Sequence, residues 1–126
     1  MKILRWVILL PGAIACGWLA YFLAGIVNRW GYLRETGQPA SPLVASLIDV
    51  GGHMLMGAAA TYVAVAIAPD HKRAVSASMT GVILLLSGEL IFASVLSINY
   101  LAVLMSAGLI AGSVAVTIDV FRREVE

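Results

Sequence analysis

Four long apolar runs divide this chain and constrain what it can fold into. They cover about residues 3–27, 47–68, 75–96 and 100–121. A helix needs roughly 20 mainly apolar residues to cross about 30 Å of hydrocarbon, so each run is long enough to be a transmembrane span. A transmembrane barrel would instead show strands of about 10 residues with alternating polarity, and the runs are continuous.

The composition argues against the soluble classes of protein. The chain is 61% hydrophobic and 12% charged, whereas a soluble domain is about half apolar and a quarter charged. Its net charge is +1 and it contains no basic run, which argues against a nucleic-acid partner. We therefore predict an all-α integral membrane protein whose surroundings are the lipid bilayer.

The connections between the runs predict how the spans are arranged. Residues 69–74 and 97–99 are short, so consecutive helices should pair as neighbours in one antiparallel four-transmembrane-helix bundle covering residues 1–126. Six lysines and arginines lie on the side of the two termini, and only Arg29 and Arg34 lie on the other. The positive-inside rule then predicts that both termini are cytoplasmic, and we expect a multi-pass protein of a bacterial-type inner membrane.

Small residues recur at helical spacing in the fourth run. Gly108 and Gly112 form a GxxxG pair, and Ser106, Ser113 and Thr117 add a stripe of hydroxyl groups. Membrane helices associate through close packing of small residues and through interhelical hydrogen bonds. The glycine pair therefore predicts a helix-packing seam, either inside one bundle or against another chain.

The second and third apolar runs contain three acidic or histidine side chains: Asp49, His53 and Glu89. Asp49 and His53 are four residues apart and should share one face of a helix. His53 lies about 9 Å inside the outer end of its span and Glu89 about 10 Å inside the outer end of the next, at 1.5 Å per residue. We therefore expect Glu89 and His53 to meet in the outer half of the bilayer.

Three interpretations of this polar cluster stay open. The first is a hydrogen-bonded lock that fixes the register of the helices. The second is a proton or ion site, because an imidazole exchanges protons near neutral pH. The third is a metal or catalytic site at the outer face, built from two carboxylates and one imidazole. A single cysteine offers no thiolate cluster, and we predict no resident metal and no cofactor.

The same positions resemble a known family, the VanZ-like membrane proteins. That family carries Asp-Lys-x-x-His at the start of one span, Glu-x-x-Gln in a later span and Asn-x-x-Gly-x-x-x-Gly in the last. This chain has Asp49-Val-Gly-Gly-His53, then Glu89, then Gly108 and Gly112, without the lysine, the glutamine and the asparagine. The resemblance covers about the last 80 residues, and it implies an envelope enzyme or resistance factor that uses the polar cluster.

Three functions follow as hypotheses from these observations. The first is a non-catalytic accessory, assembly or immunity-like subunit that packs against a membrane-protein partner or forms a homo-oligomer. The second is a small oligomeric transporter or channel coupled to protons or ions through Glu89 and His53. The third is the envelope enzyme or resistance factor of the family resemblance. The chain carries no recognisable catalytic motif, so a non-enzymatic role is favoured.

Overall fold

The computed structural model describes residues 1–123, and this part of the chain is all-helical. Its four helices are α1 Lys2–Thr36, α2 Pro42–Ile67, α3 Lys72–Leu96 and α4 Tyr100–Arg123. Each of them is long and apolar enough to cross a membrane. The prediction of four apolar helices is therefore confirmed for the described residues.

Helix α1 continues well beyond the apolar run in which it begins. Its 35 residues extend over about 52 Å at 1.5 Å per residue. It ends where Gly37 adopts a left-handed conformation, with φ of 68°, and donates its backbone N–H to the carbonyl oxygen of Leu33 at 2.8 Å. This is the αL type of helix end, which glycine favours because it lacks a Cβ atom.

The apolar runs leave residues 28–46 between the first two spans and predict a long loop there, but only part of this interval is a loop. Residues 28–36 contain no proline and remain helical, and only residues 37–41 connect α1 to α2. Helix α2 begins at Pro42, because Ser41 caps it by accepting a hydrogen bond from the N–H of Val44 at 3.3 Å. Proline suits the first helical position, where its missing N–H has no intrahelical acceptor.

Helix α2 is the centre of the packing, since it contacts α1, α3 and α4. Early residues of α1 meet late residues of α2: Lys2 pairs with Asp70, just beyond α2, at 3.0 Å. Farther along, Gly17 lies so close to α2 that a Cβ atom there would be 3.2 Å from the Cβ of Ala60. Helix α4 packs against both α2 and α3, so the middle of the fold is formed by α2 and α4.

The core is small, and most large apolar side chains point outward. Its largest cluster joins three of the helices and the α2–α3 link through Leu9, Ala13, Ala64, Ala68, Val75 and Met79. Outside it, large side chains such as Leu85 (75% exposed) and Phe92 (69% exposed) form the surface. An apolar surface of this extent is not typical of a protein that folds in water.

Candidate functional site

Asp49 is held by an arginine of the neighbouring helix. The Nη2 atom of Arg29 donates to Oδ1 of Asp49 at 2.8 Å, and the two side chains are 55% and 22% exposed. Sequence reasoning used Arg29 only as an orientation signal and missed this pair. The pair depends on the continuation of α1 beyond its apolar run, because that continuation places Arg29 beside the beginning of α2.

His53 lies one turn farther along α2, against α1. Its Nδ1 atom is 2.7 Å from the backbone carbonyl oxygen of Asp49 and donates to it. The imidazole meets the ring of Tyr21 edge to face, with 4.8 Å between ring centroids. Gly52 makes room for Tyr21, since a Cβ atom there would lie 2.9 Å from the Cδ2 atom of the tyrosine.

Glu89 stands apart from this pair, on the exposed surface of α3. It lines a shallow depression together with Leu84, Leu85, Gly88 and Phe92. Within residues 1–123, Glu89 makes no hydrogen bond and no ion pair. The same part of the chain contains no group of three His, Cys, Asp or Glu side chains that could hold a metal ion. The structure therefore does not bring Glu89 to Asp49 and His53.

The helical geometry of α3 explains why Glu89 faces outward. Helix α3 buries Thr80, Ile83 and Ser87 on one side. Each residue turns the helix by about 100°, so Glu89 lies about 200° around the axis from Ser87. The sequence places Glu89 at a suitable position along the helix axis for meeting His53, but the packed face of α3 turns its side chain away from the bundle.

Gly108 and Gly112 lie in the internal seam between α2 and α4. A Cβ atom at Gly108 would be 3.0 Å from the carbonyl oxygen of Val50, and one at Gly112 would overlap the carbonyl oxygen of Met54. Gly57 completes the seam from α2, because a Cβ atom there would overlap the backbone of α4 in the same way. Of the two interpretations of the GxxxG pair, the structure shows packing inside one chain.

A chain of hydroxyl groups continues the same seam into α3. Ser113 lies 2.6 Å from the Oγ1 atom of Thr61 and 2.8 Å from that of Thr80, and Thr80 lies 2.7 Å from Thr117. The ends of the chain donate to backbone carbonyl oxygens of Gly57 and of α3. The spacing of residues predicts the hydroxyl stripe on α4. It does not predict the partners of that stripe, which are single threonines on two other helices, Thr61 of α2 and Thr80 of α3.

The pair formed by Arg29 and Asp49 should contribute little to stability because it is partly solvent-accessible. We expect Arg29→Ala to lower the free energy of unfolding by less than about 1 kcal/mol, as measured for exposed ion pairs. A double-mutant cycle with Asp49→Ala in mild detergent, followed by thermal unfolding, measures the coupling. A loss several times larger would show that the pair is a buried lock.

Comparison of the chain with protein-family models, with curated proteins and with solved structures finds no match.

Proposed function

We propose that this chain is a multi-pass inner-membrane protein that acts as a non-catalytic accessory, assembly or immunity-like subunit. Four apolar helices support insertion in a bilayer as one antiparallel bundle. The excess of lysine and arginine on the side of the two termini supports a cytoplasmic location for both ends. The subunit acts by packing against another membrane protein.

The observation that carries this proposal is the position of Glu89. In the proposed insertion it lies seven residues before Leu96, about 10 Å inside the outer end of α3. Ionisable side chains at such depth usually face a bundle interior or a water-filled cavity, because exposure to hydrocarbon is expensive. Glu89 instead lies on the outer surface of the chain, so a second protein surface is the natural covering for it.

The interior of the bundle supports the same conclusion. Backbone contact at Gly57 and Gly112 closes the α2–α4 seam, and the hydroxyl groups of Thr61, Ser113 and Thr80 bond to one another. An ion path through a single copy would need polar groups facing an open channel. These groups face each other, which argues against an ion path inside a single copy.

The proposal that a partner docks on α3 beside Glu89 can be tested by filling the depression there. A Cβ atom at Gly88 meets nothing within 4 Å, and the same holds for Gly25 on α1. Gly88→Leu should reduce recovery of the native complex by about tenfold, since one overpacked contact costs roughly 1–3 kcal/mol. Gly25→Leu is the matched control and should leave recovery unchanged. The measurement is native mass spectrometry of complexes extracted with their lipids from the natural membrane.

Two results of that experiment would contradict the accessory role. The first is wild-type protein that leaves the membrane only as a single chain with lipid. The second is an equal effect of Gly88→Leu and Gly25→Leu on recovery of the complex.

The transporter hypothesis has its own test in reconstituted vesicles. A proton-driven flux that is lost in both Glu89→Gln and His53→Ala would contradict the accessory role and support a transporter.

A further inference from the structure

We propose that the partner of the Glu89 face is a different membrane protein, whose transmembrane helix carries a lysine or arginine at the level of Glu89. This inference rests on the proposed accessory function and names the chemistry of the partner. The face consists of Glu89, the open glycines Gly81 and Gly88, and the flanking side chains of Leu85 and Phe92.

The carboxylate of Glu89 requires a partner of opposite charge. Glu89 has no hydrogen-bonding or ionic partner within residues 1–123, and its neighbours in the depression are apolar. Ionisable side chains inside membranes pair with one another or with backbone groups. A lysine or arginine provides both the opposite charge and the donors that a carboxylate accepts, and such hydrogen bonds are stronger than neutral ones.

The packing of α2, α3 and α4 gives the level at which that cation has to lie. The hydroxyl chain aligns Thr80 of α3 with Thr61 of α2 through Ser113. Glu89 lies nine residues beyond Thr80, and Gly52 lies nine residues before Thr61. Both displacements are about 13 Å toward the same end of the bundle, so Glu89 is level with Gly52.

A second copy of this chain cannot supply that cation. Gly52 packs on Tyr21 of α1, and Arg29 follows Tyr21 by eight residues, or about 12 Å. Arg29 is also engaged with Asp49. The remaining lysines and arginines of the described chain lie still closer to the helix ends. A two-fold dimer about the membrane normal would moreover place Glu89 opposite Glu89, and like charges repel.

The shape of the face fits a closely approaching helix. Gly81 and Gly88 lie seven residues apart, about two turns, and a Cβ atom at either would meet nothing within 4 Å. Glycines on one face let two helix backbones approach closely in a membrane. The depression beside Gly88 gives room for the aliphatic stem of a lysine or arginine, while its charged head reaches the carboxylate.

The test uses the full chain in liposomes and designed transmembrane peptides as probes. The three peptides are leucine–alanine helices that differ at one position, which is lysine, leucine or glutamate. That position lies about 10 Å below the outer interface. Energy transfer between a dye on the protein and a dye on the peptide measures association. We expect the lysine peptide to bind about tenfold tighter than the leucine peptide, and the glutamate peptide to bind least.

Three variants identify the groups responsible for that preference. Glu89→Gln should remove the preference for lysine while leucine-peptide binding persists, and Glu89→Lys should transfer the preference to the glutamate peptide. Gly88→Leu should weaken binding of every peptide, whereas Gly25→Leu should change none. Wild-type protein without peptide should show no self-association that depends on Glu89.

The outcomes separate this inference from the function on which it rests. Equal binding of the lysine and leucine peptides, both weakened by Gly88→Leu, would overturn the cationic partner and leave the docking face intact. Self-association that is lost in Glu89→Gln would assign the face to a second copy. Absence of all peptide binding, together with native complexes that Gly88→Leu leaves intact, would overturn the accessory function itself.

Discussion

Replacing Gly112 by alanine should lower the free energy of unfolding by about 3 kcal/mol, at the upper end of the cost of overpacking a core. The added methyl group has no space, because its position overlaps the carbonyl oxygen of Met54 in the facing helix. The obstacle is backbone, so no side-chain rotation relieves it, and α2 and α4 have to separate. Gly57→Ala should have a similar effect from the other side of the seam.

Gly81→Ala is the matched control for this prediction, since Gly81 is also a helical glycine but has open space around its Cβ position. The free energy of unfolding of Gly81→Ala should equal that of the wild type or be slightly higher, because alanine is a better helix former than glycine. Reversible unfolding in mixed micelles, followed by far-UV circular dichroism, provides the comparison. Equal stability of the Gly112 and Gly81 variants would contradict the α2–α4 seam.

Replacing Glu89 by leucine should have two effects of very different size. Insertion of α3 into the bilayer should become about 2 kcal/mol more favourable, because a charged residue in a helix is disfavoured and leucine is favoured. Unfolding of the inserted bundle should change by less than about 0.5 kcal/mol, as for surface substitutions in general. The reason is that Glu89 lies on the exposed surface of the four-helix fold, so in the proposed insertion its surroundings are the same whether or not the helices are packed together.

The two effects are measured separately. A glycosylation-mapping assay of α3 gives the insertion free energy, and steric trapping in bicelles gives the free energy of unfolding. The control is Leu85→Ala, a neighbouring outward-facing change that alters neither charge nor packing inside the bundle. A large loss of bundle stability in Glu89→Leu would mean that the carboxylate belongs to an internal lock with His53.

The all-helical fold and its four apolar helices are predictable from the sequence because the length of an apolar run follows directly from the order of the residues. The end of α1 is less predictable, because residues 28–36 are too polar to belong to the apolar run and yet remain part of the helix. What stops the helix is a single glycine, Gly37, in a left-handed conformation. Apolar patterning indicates where a membrane span ends, and that is a different point from the end of the helix.

The candidate site was only partly predictable for a related reason. Spacing places Asp49 and His53 on one face of α2, but it does not show which side of α3 packs inward. The same difficulty applies to glycines: Gly108 and Gly112 are buried, whereas Gly81 and Gly88 are open. Their spacing alone does not distinguish these two environments, since small residues favour close helix contact within a chain and between chains alike.

The ion pairs of α1 lie at two distant points along the helix. Lys2 meets Asp70 at one end of the helix, and Arg29 meets Asp49 toward the other. Each pair is weak alone, but a slide of α1 along α2 by one turn, about 5.4 Å, would break both at once. Between the two pairs, Tyr21 fits against Gly52 and Gly17 fits against Ala60, so charge pairing and close packing favour the same alignment of α1 on α2.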